Sequence, residues 1–375
     1  MTWLLDRIQS KTHDDNRGYA AELLSILLQS NVKNRLELGR KDGVETILKV
    51  LSVSQLSATS HYRLLCTDSQ KQYRRRDPID ADETEFMENV FDALCSALGE
   101  SKIKELFLAS EGIDLMVLMM KCVSTGTEDI SKLTMIPREK LQSRSRSIKT
   151  LDYAMSGPAG SASCEAFIEA LGLKTLFAAF MGKVNHHFRL LLEHLKFNNK
   201  LVQSSKKPSS GAPPTSEDAG HVLGILSSLF TNIPSETPAR LRLLTKFVEN
   251  NYEKADKLLE IRDSAHNRLT AVDAEIEKER KQLVADGDEI GAEEEDTWYL
   301  RRLDGGLFTL QTVDYILAWI CMEDDGVSEI ASSHKRHTDV FTLNILLGPV
   351  TSNTDAIPQI KISKGYRTDI ASLSR

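Results

Sequence analysis

Three times in the first half of this chain an apolar side chain is followed, five residues later, by a glycine that opens an apolar run: Leu38 before Gly43, Phe107 before Gly112 and Phe167 before Gly172. The runs read Gly43-Val-Glu-Thr-Ile-Leu-Lys-Val-Leu51, Gly112-Ile-Asp-Leu-Met-Val-Leu-Met-Met120 and Gly172-Leu-Lys-Thr-Leu-Phe-Ala-Ala-Phe180. Their apolar residues recur three and four apart, the period of a helix buried along one face. A frame repeated in this way calls for an array in which each unit buries its apolar side against the next. The glycine is expected to turn the chain sharply between a short helix and a longer one.

Each run also has a helical segment ahead of it, at Ala20–Gln29, Glu85–Leu98 and Ser147–Met155. Three helices per unit, the third opening on the glycine, look like armadillo repeats. The fold expected is all-α, an armadillo-repeat α-solenoid (superhelix) with a C-terminal helical region. The glycines lie farther apart than the roughly 40 to 47 residues of such a unit, and segments without periodicity lengthen the intervals. Residues 1–205 thus read as an incomplete repeat array with irregular inserts near 53–72, 122–137 and 184–203.

Pro, Ser and Gly make 206–218 a surface linker, and helix is expected to resume at His221 within a C-terminal helical region, 219–322. Apolar spacing from Leu241 to Leu283 predicts long hairpin-like helices interrupted near Arg262. Asp286–Asp296 carries seven carboxylates and no Lys or Arg. Trp298–Met322 reads as a last apolar helix pair, and 323–375 lacks a sustained pattern and reads as disordered.

Aromatic residues are only 6% of the 375, so the core falls to Leu, Ile, Val, Ala and Met, the palette of helix packed on helix. The longest apolar stretches, Met116–Met120 and Tyr315–Cys321, are far shorter than the roughly 18 to 20 residues of a membrane span, so no membrane association is expected. Asp6 and Arg7 interrupt the start before a secretory segment can form. The five cysteines are accordingly expected to be intracellular thiols. A formal net charge of -7 supplies no basic field for nucleic acid, so no direct nucleic-acid contact is expected, and basic peptides are the more natural partners.

No phosphate loop ending in Lys-Ser or Lys-Thr, no His-Glu-x-x-His and no Cys-x-x-Cys occurs, so no catalytic residue, cofactor or metal site is assigned. Gly157-Pro-Ala-Gly160 reads as a loop opening the next helix. His186-His187 and His334-Lys-Arg-His337 read as surface histidines, and Cys95, Cys164 and Cys321 as small core residues. Arg74-Arg75-Arg76 reads as a solvated loop. In Arg144-Ser-Arg-Ser147, phosphorylation is weighed against Ser147 simply capping its helix. The acidic run has the best functional claim: Glu293, Glu294, Glu295 and Asp296 are the candidate contacts for a Lys/Arg-rich peptide, acting more on association rate than on final affinity.

Several long motifs occur in one order: Glu88-Asn-Val-Phe-Asp-Ala-Leu-Cys95, Leu151-Asp-Tyr-Ala-Met-Ser-Gly-Pro158, Leu171-Gly-Leu-Lys-Thr-Leu-Phe177, Leu244-Thr-Lys-Phe-Val-Glu-Asn250 and Trp298-Tyr-Leu-Arg-Arg-Leu-Asp-Gly-Gly-Leu-Phe-Thr-Leu-Gln311. On these, residues 16 to 322 resemble the β-catenin-like protein family, nuclear armadillo-repeat proteins associated with the spliceosome. The resemblance implies a non-enzymatic nuclear scaffold linked to the NineTeen-type complex. It implies as partners splicing factors with basic nuclear-localisation-type segments, above all that complex's Myb-like cell-division-cycle subunit. An importin-like adaptor is the alternative; it needs repeated Trp and Asn along the third helices, and Gly43–Leu51 and Gly112–Met120 contain neither. A homo-oligomer stays open.

The chain departs from the family by beginning partway through the repeats, which is expected to leave Trp3, Leu4, Leu5 and Ile8 without a covering neighbour. The inserts 53–72 and 184–203 each open on Val-Ser or Val-Asn, as GT plus purines would encode, and close on Gln, as CAG would. They and 122–137 read as translated introns or gene-model errors, with lineage-specific loops as the alternative, and sequencing of the mature transcript decides between them.

Overall fold

Four of the described helices start where a side-chain oxygen takes backbone N–H groups that a first turn leaves unpaired. Asp14 accepts from Arg17 N, Asn31 from Lys33 N and Asn34 N, Asp80 from Glu83 N, and Thr237 from Arg240 N. A computed structural model describes residues 1–10, 14–52, 80–121, 141–182, 216–287 and 290–327, and no strand occurs among them. The inserts, Arg74–Arg76, both histidine clusters and nearly all of the linker and tail lie outside the described residues.

After α1 (Thr2–Ile8) the described helices form units of one long and two short members. The long ones are α2 (Asp15–Gln29), α5 (Ala81–Ala97), α8 (Leu141–Met155) and α11 (Ser216–Asn232), each of 15 or 17 residues. The short ones are α3 (Val32–Arg40) with α4 (Gly43–Ser52), α6 (Ser101–Ala109) with α7 (Gly112–Met120), and α9 (Ser161–Glu169) with α10 (Gly172–Phe180). Then come α12 (Pro238–Val248), α13 (Glu253–Asp286), α14 (Ala292–Arg302), a π-turn at Leu303–Leu307, and α15 (Phe308–Glu323).

Like packs on like. The long helices α2, α5, α8 and α11 lie side by side, and α15 extends the row; α3, α6 and α9 form a second row and α4, α7 and α10 a third. Val90, Phe91, Leu94, Leu151, Ala154, Leu226 and Leu229 are wholly buried along the long row. This corrects the expected order of short helix, glycine, longer helix. The glycine-opened helices match their predecessors in length, and the extended row is made by the helices that precede each pair.

The glycines also act differently from expectation. The left-handed residue at each bend is the one before the glycine, Asp42, Glu111 or Leu171, with φ of 52°, 58° and 60°. The glycine itself lets a side chain lie against its backbone. A Cβ on Gly43 would collide with the Leu38 side chain, and one on Gly112 or Gly172 with the ring of Phe107 or Phe167. The apolar residue five positions earlier fills the space a side chain would take.

Further expectations are revised. α13 runs unbroken through Arg262 for 34 residues; the break falls earlier, at Asn250, Asn251 and Tyr252, all with positive φ. Trp298–Met322 falls on two helices, α14 and α15, that meet at a kink where Gly306 adopts φ 114°, and both pack back on α13. By length and composition Ala292–Glu323 is apolar enough to cross a membrane. Yet Val313, Ile316, Leu317 and Ile320 of that run are buried in the protein. Leu4, Leu5 and Ile8 are buried against α2 and α4, leaving Trp3 exposed. Helix resumes at Ser216 rather than His221. Pro158–Gly160 forms a 3₁₀ turn that opens α9, as expected.

Candidate functional site

The outward face of the long row concentrates the polar chemistry. From α5, Glu88 and Asp92 meet Arg146 of α8 at 2.9 and 3.4 Å, and Asp92 also meets Lys149 at 3.3 Å. Gln142 Nε2 donates to Glu88 at 2.5 Å. Lys149 reaches Glu217 of α11 at 3.7 Å, and Asp152 pairs with His221 Nδ1 at 2.8 Å. Farther along, Thr231 and the Tyr315 hydroxyl lie 2.9 Å apart, joining α11 to α15, and Tyr315 packs edge-on against Trp319.

These pairs sit at helix seams, so burial and neighbouring charge compete. Burial disfavours the charge on Arg146 and Lys149. For Arg146 the Glu88 hydrogen bond and the carboxylates of Glu88 and Asp92 outweigh it, and for Lys149 the Asp92 charge does; both cations are held more firmly protonated than usual. Burial pushes the Asp152 carboxyl up, only partly offset by His221 and Lys104. Two of the three cations of α8, Arg146 and Lys149, are therefore held by their neighbours. Glu217, two-thirds exposed, keeps capacity for an external cation.

The predicted acidic residues lie elsewhere. Glu293, Glu294 and Glu295 form the first turn of α14, where negative charge complements the helix N-terminus. Glu294 accepts from Gly291 N at 2.9 Å and Glu295 stands 3.7 Å from Arg280. Glu293, Glu295 and Asp296 are exposed, on helix rather than on a solvated loop. Beside them an open cleft of about 410 Å³ separates α13 from α14, lined by residues that include Ile276, Arg280, Trp298 and Arg302.

The buried thiols of Cys95 and Cys164 are poor nucleophiles. Burial pushes Cys95 up to about 11 and Cys164 up to about 12. Ser147 does not cap α8; it lies mid-helix, wholly buried, its hydroxyl donating to Ser143 O at 2.6 Å.

Sequence reasoning missed the shared role of the residues eight positions before each glycine, Arg35, Lys104 and Cys164, the last read only as a small core residue. Each reaches carbonyls at the end of a long helix, Arg35 to Leu28 O and Gln29 O, Lys104 to Ser156 O, and Cys164 to Met155 O. Last-turn carbonyls lack intrahelical partners, and two cations and a thiol supply them. The signal was the constant offset from the glycine.

A family model described as "Catenin-beta-like, Arm-motif containing nuclear" matches residues 1–60 and 65–345. The chain belongs to this family. It is 38% identical over 322 residues to Beta-catenin-like protein 1 of Mus musculus, covering 86% of this chain and 47% of that one. The Homo sapiens protein is 37% identical over the same shares, and the Schizosaccharomyces pombe homolog 34% over 324 residues, 86% and 44%. The chain thus spans about half the length of the curated relatives it matches. Among solved structures, it is similar to a designed armadillo repeat protein at TM-score 0.40 and 9% identity, covering 85% of this chain and 98% of that one. The family's armadillo motif agrees with the three helix rows.

Proposed function

We propose that the chain is a non-enzymatic nuclear scaffold of the pre-mRNA splicing machinery, associated with the NineTeen-type complex and holding partners through their basic segments, the Myb-like cell-division-cycle subunit first among them. Family membership supports the scaffold class. The observation that carries the basic-segment reading is the outward face of the long row, where Glu88, Asp92 and Glu217 surround two cations, Arg146 and Lys149, that these carboxylates hold protonated. An incoming Lys or Arg meets carboxylates already clustered at a helix seam. Glu293, Glu294, Glu295 and Asp296 form a second acidic stretch on the hairpin, suited to steering such a segment toward the protein. The long helices α2, α5, α8 and α11 contain no tryptophan, which argues against an importin-like clamp.

Fluorescence anisotropy with a Lys/Arg-rich peptide at low salt tests the reading. Glu88→Lys with Glu217→Lys is expected to weaken binding about tenfold, on the scale of one strong charge-assisted contact. Reversing Glu293–Asp296 is expected to slow association more than it changes the equilibrium. Unchanged binding in both variants would reject the proposal.

A further inference from the structure

Three serines alternate with two arginines at the start of α8, in Ser143-Arg144-Ser145-Arg146-Ser147. The fold separates them sharply. Ser143 and Ser147 are 1% and 0% exposed, Ser147 hydrogen-bonded inside its own helix and Ser143 against Met87 across the α5 seam. Ser145 is half-buried at the seam with α11, and its hydroxyl meets the Asp218 carboxylate. It is the fifth residue of α8, so opening little more than one helical turn frees it.

We propose that Ser145 is a phosphorylation site at which an arginine-directed serine kinase uncouples α8 from α11. The kinase would transfer the γ-phosphoryl group of ATP to Ser145 Oγ, the hydroxyl proton passing to the kinase base and ADP leaving. The product exchanges one O–H donor for a group carrying about -1.5 to -2 charges and only acceptors. It faces Asp218, with Glu217 one residue before it on α11. Besides Arg144, the residue before it, the nearby cations on its own helix are occupied: Arg146 by Glu88 and Asp92, Lys149 by Asp92 and Glu217. The phosphate therefore repels α11 at its first turn and draws Arg146 and Lys149 off α5 and α11. Two seams of the long row loosen from one modification.

The test uses the full chain in two arms. In the first, an arginine-directed kinase with ATP is applied to the wild type, Ser145→Ala and Ser147→Ala, and the phosphate is mapped by mass spectrometry. One phosphate is expected, absent from Ser145→Ala and retained in Ser147→Ala; labelling at Ser143 or Ser147, or none at all, would overturn the site. In the second, phosphoserine is installed at position 145 by codon reassignment and hydrogen exchange is measured. Amides in the first two turns of α8 and α11 are expected to exchange at least tenfold faster, while those of α3 and α4 stay unchanged. Exchange equal to that of the unmodified chain would overturn the uncoupling, and Ser145→Ala separates it from simple loss of the hydroxyl.

Discussion

The helices opened by Gly43, Gly112 and Gly172 bury between four and seven of their nine or ten residues. In the far half of the hairpin, by contrast, residues 271–286 of α13 bury Ile276 alone, and α14 buries Trp298 alone. The repeats are held by apolar seams, each burial worth about 25 cal/mol per Å² and indifferent to salt. The hairpin is laced with surface pairs instead: Arg302 to Asp273 at 2.7 Å, Lys281 to Glu277 at 3.3 Å and Arg280 to Glu295 at 3.7 Å. Such exposed pairs contribute at most about 1 kcal/mol each and are screened by salt. The two regions of one helical row are therefore expected to open at different free energies.

Arg240 is the strongest test of how far the regions depend on each other. It is 1% exposed, donates from Nε to both oxygens of Glu323 at 3.0 Å and from Nη1 to Phe230 O at 2.6 Å, and lies between the Phe230 and Trp319 rings. It ties α12 to the ends of α11 and α15. Arg240→Ala is expected to cost about 3–5 kcal/mol, since it strands a carboxylate against a desolvated pocket. Urea denaturation checks it, and a cost below about 1 kcal/mol would show that hairpin and repeats stand without this joint. Within the repeats, Gly112→Ala places a Cβ on the Phe107 ring and is expected to cost about 1–3 kcal/mol by overpacking; an unchanged melting curve would mean that the ring can move aside. The smallest effect belongs to the hairpin. Arg302→Ala is expected to cost less than about 1 kcal/mol and to become undetectable near 1 M salt, and a cost that persisted in salt would erase the contrast between the regions.

The repeat was legible because its frame is steric. A glycine five residues after Leu38, Phe107 or Phe167 is required wherever that side chain lies on the next helix's backbone, so the offset survives changes in everything around it. Which helix forms the extended row was harder to read, because α5, α8 and α11 each come after a stretch without periodicity that hides where they begin. The bend before α13 was missed although Asn250 and Asn251 are the residue type that best tolerates a left-handed backbone after glycine. Apolar spacing alone, which drifts near Arg262, gave the wrong position. The face of the long row escaped because its carboxylates and cations are spread over Glu88, Arg146 and Glu217, on three helices far apart in sequence. The run Glu293–Asp296 stood out only because its charges are consecutive.

The kink at Leu303–Leu307, where Gly306 takes a non-helical φ of 114°, breaks the direction of the chain between α14 and α15. Upstream of it, Trp298 is aimed at α13; downstream, Val313, Ile316 and Ile320 turn inward where α15 contacts both α13 and α11. The kink thereby lets one helix brace the hairpin and the next close the end of the row, each free to take its own direction.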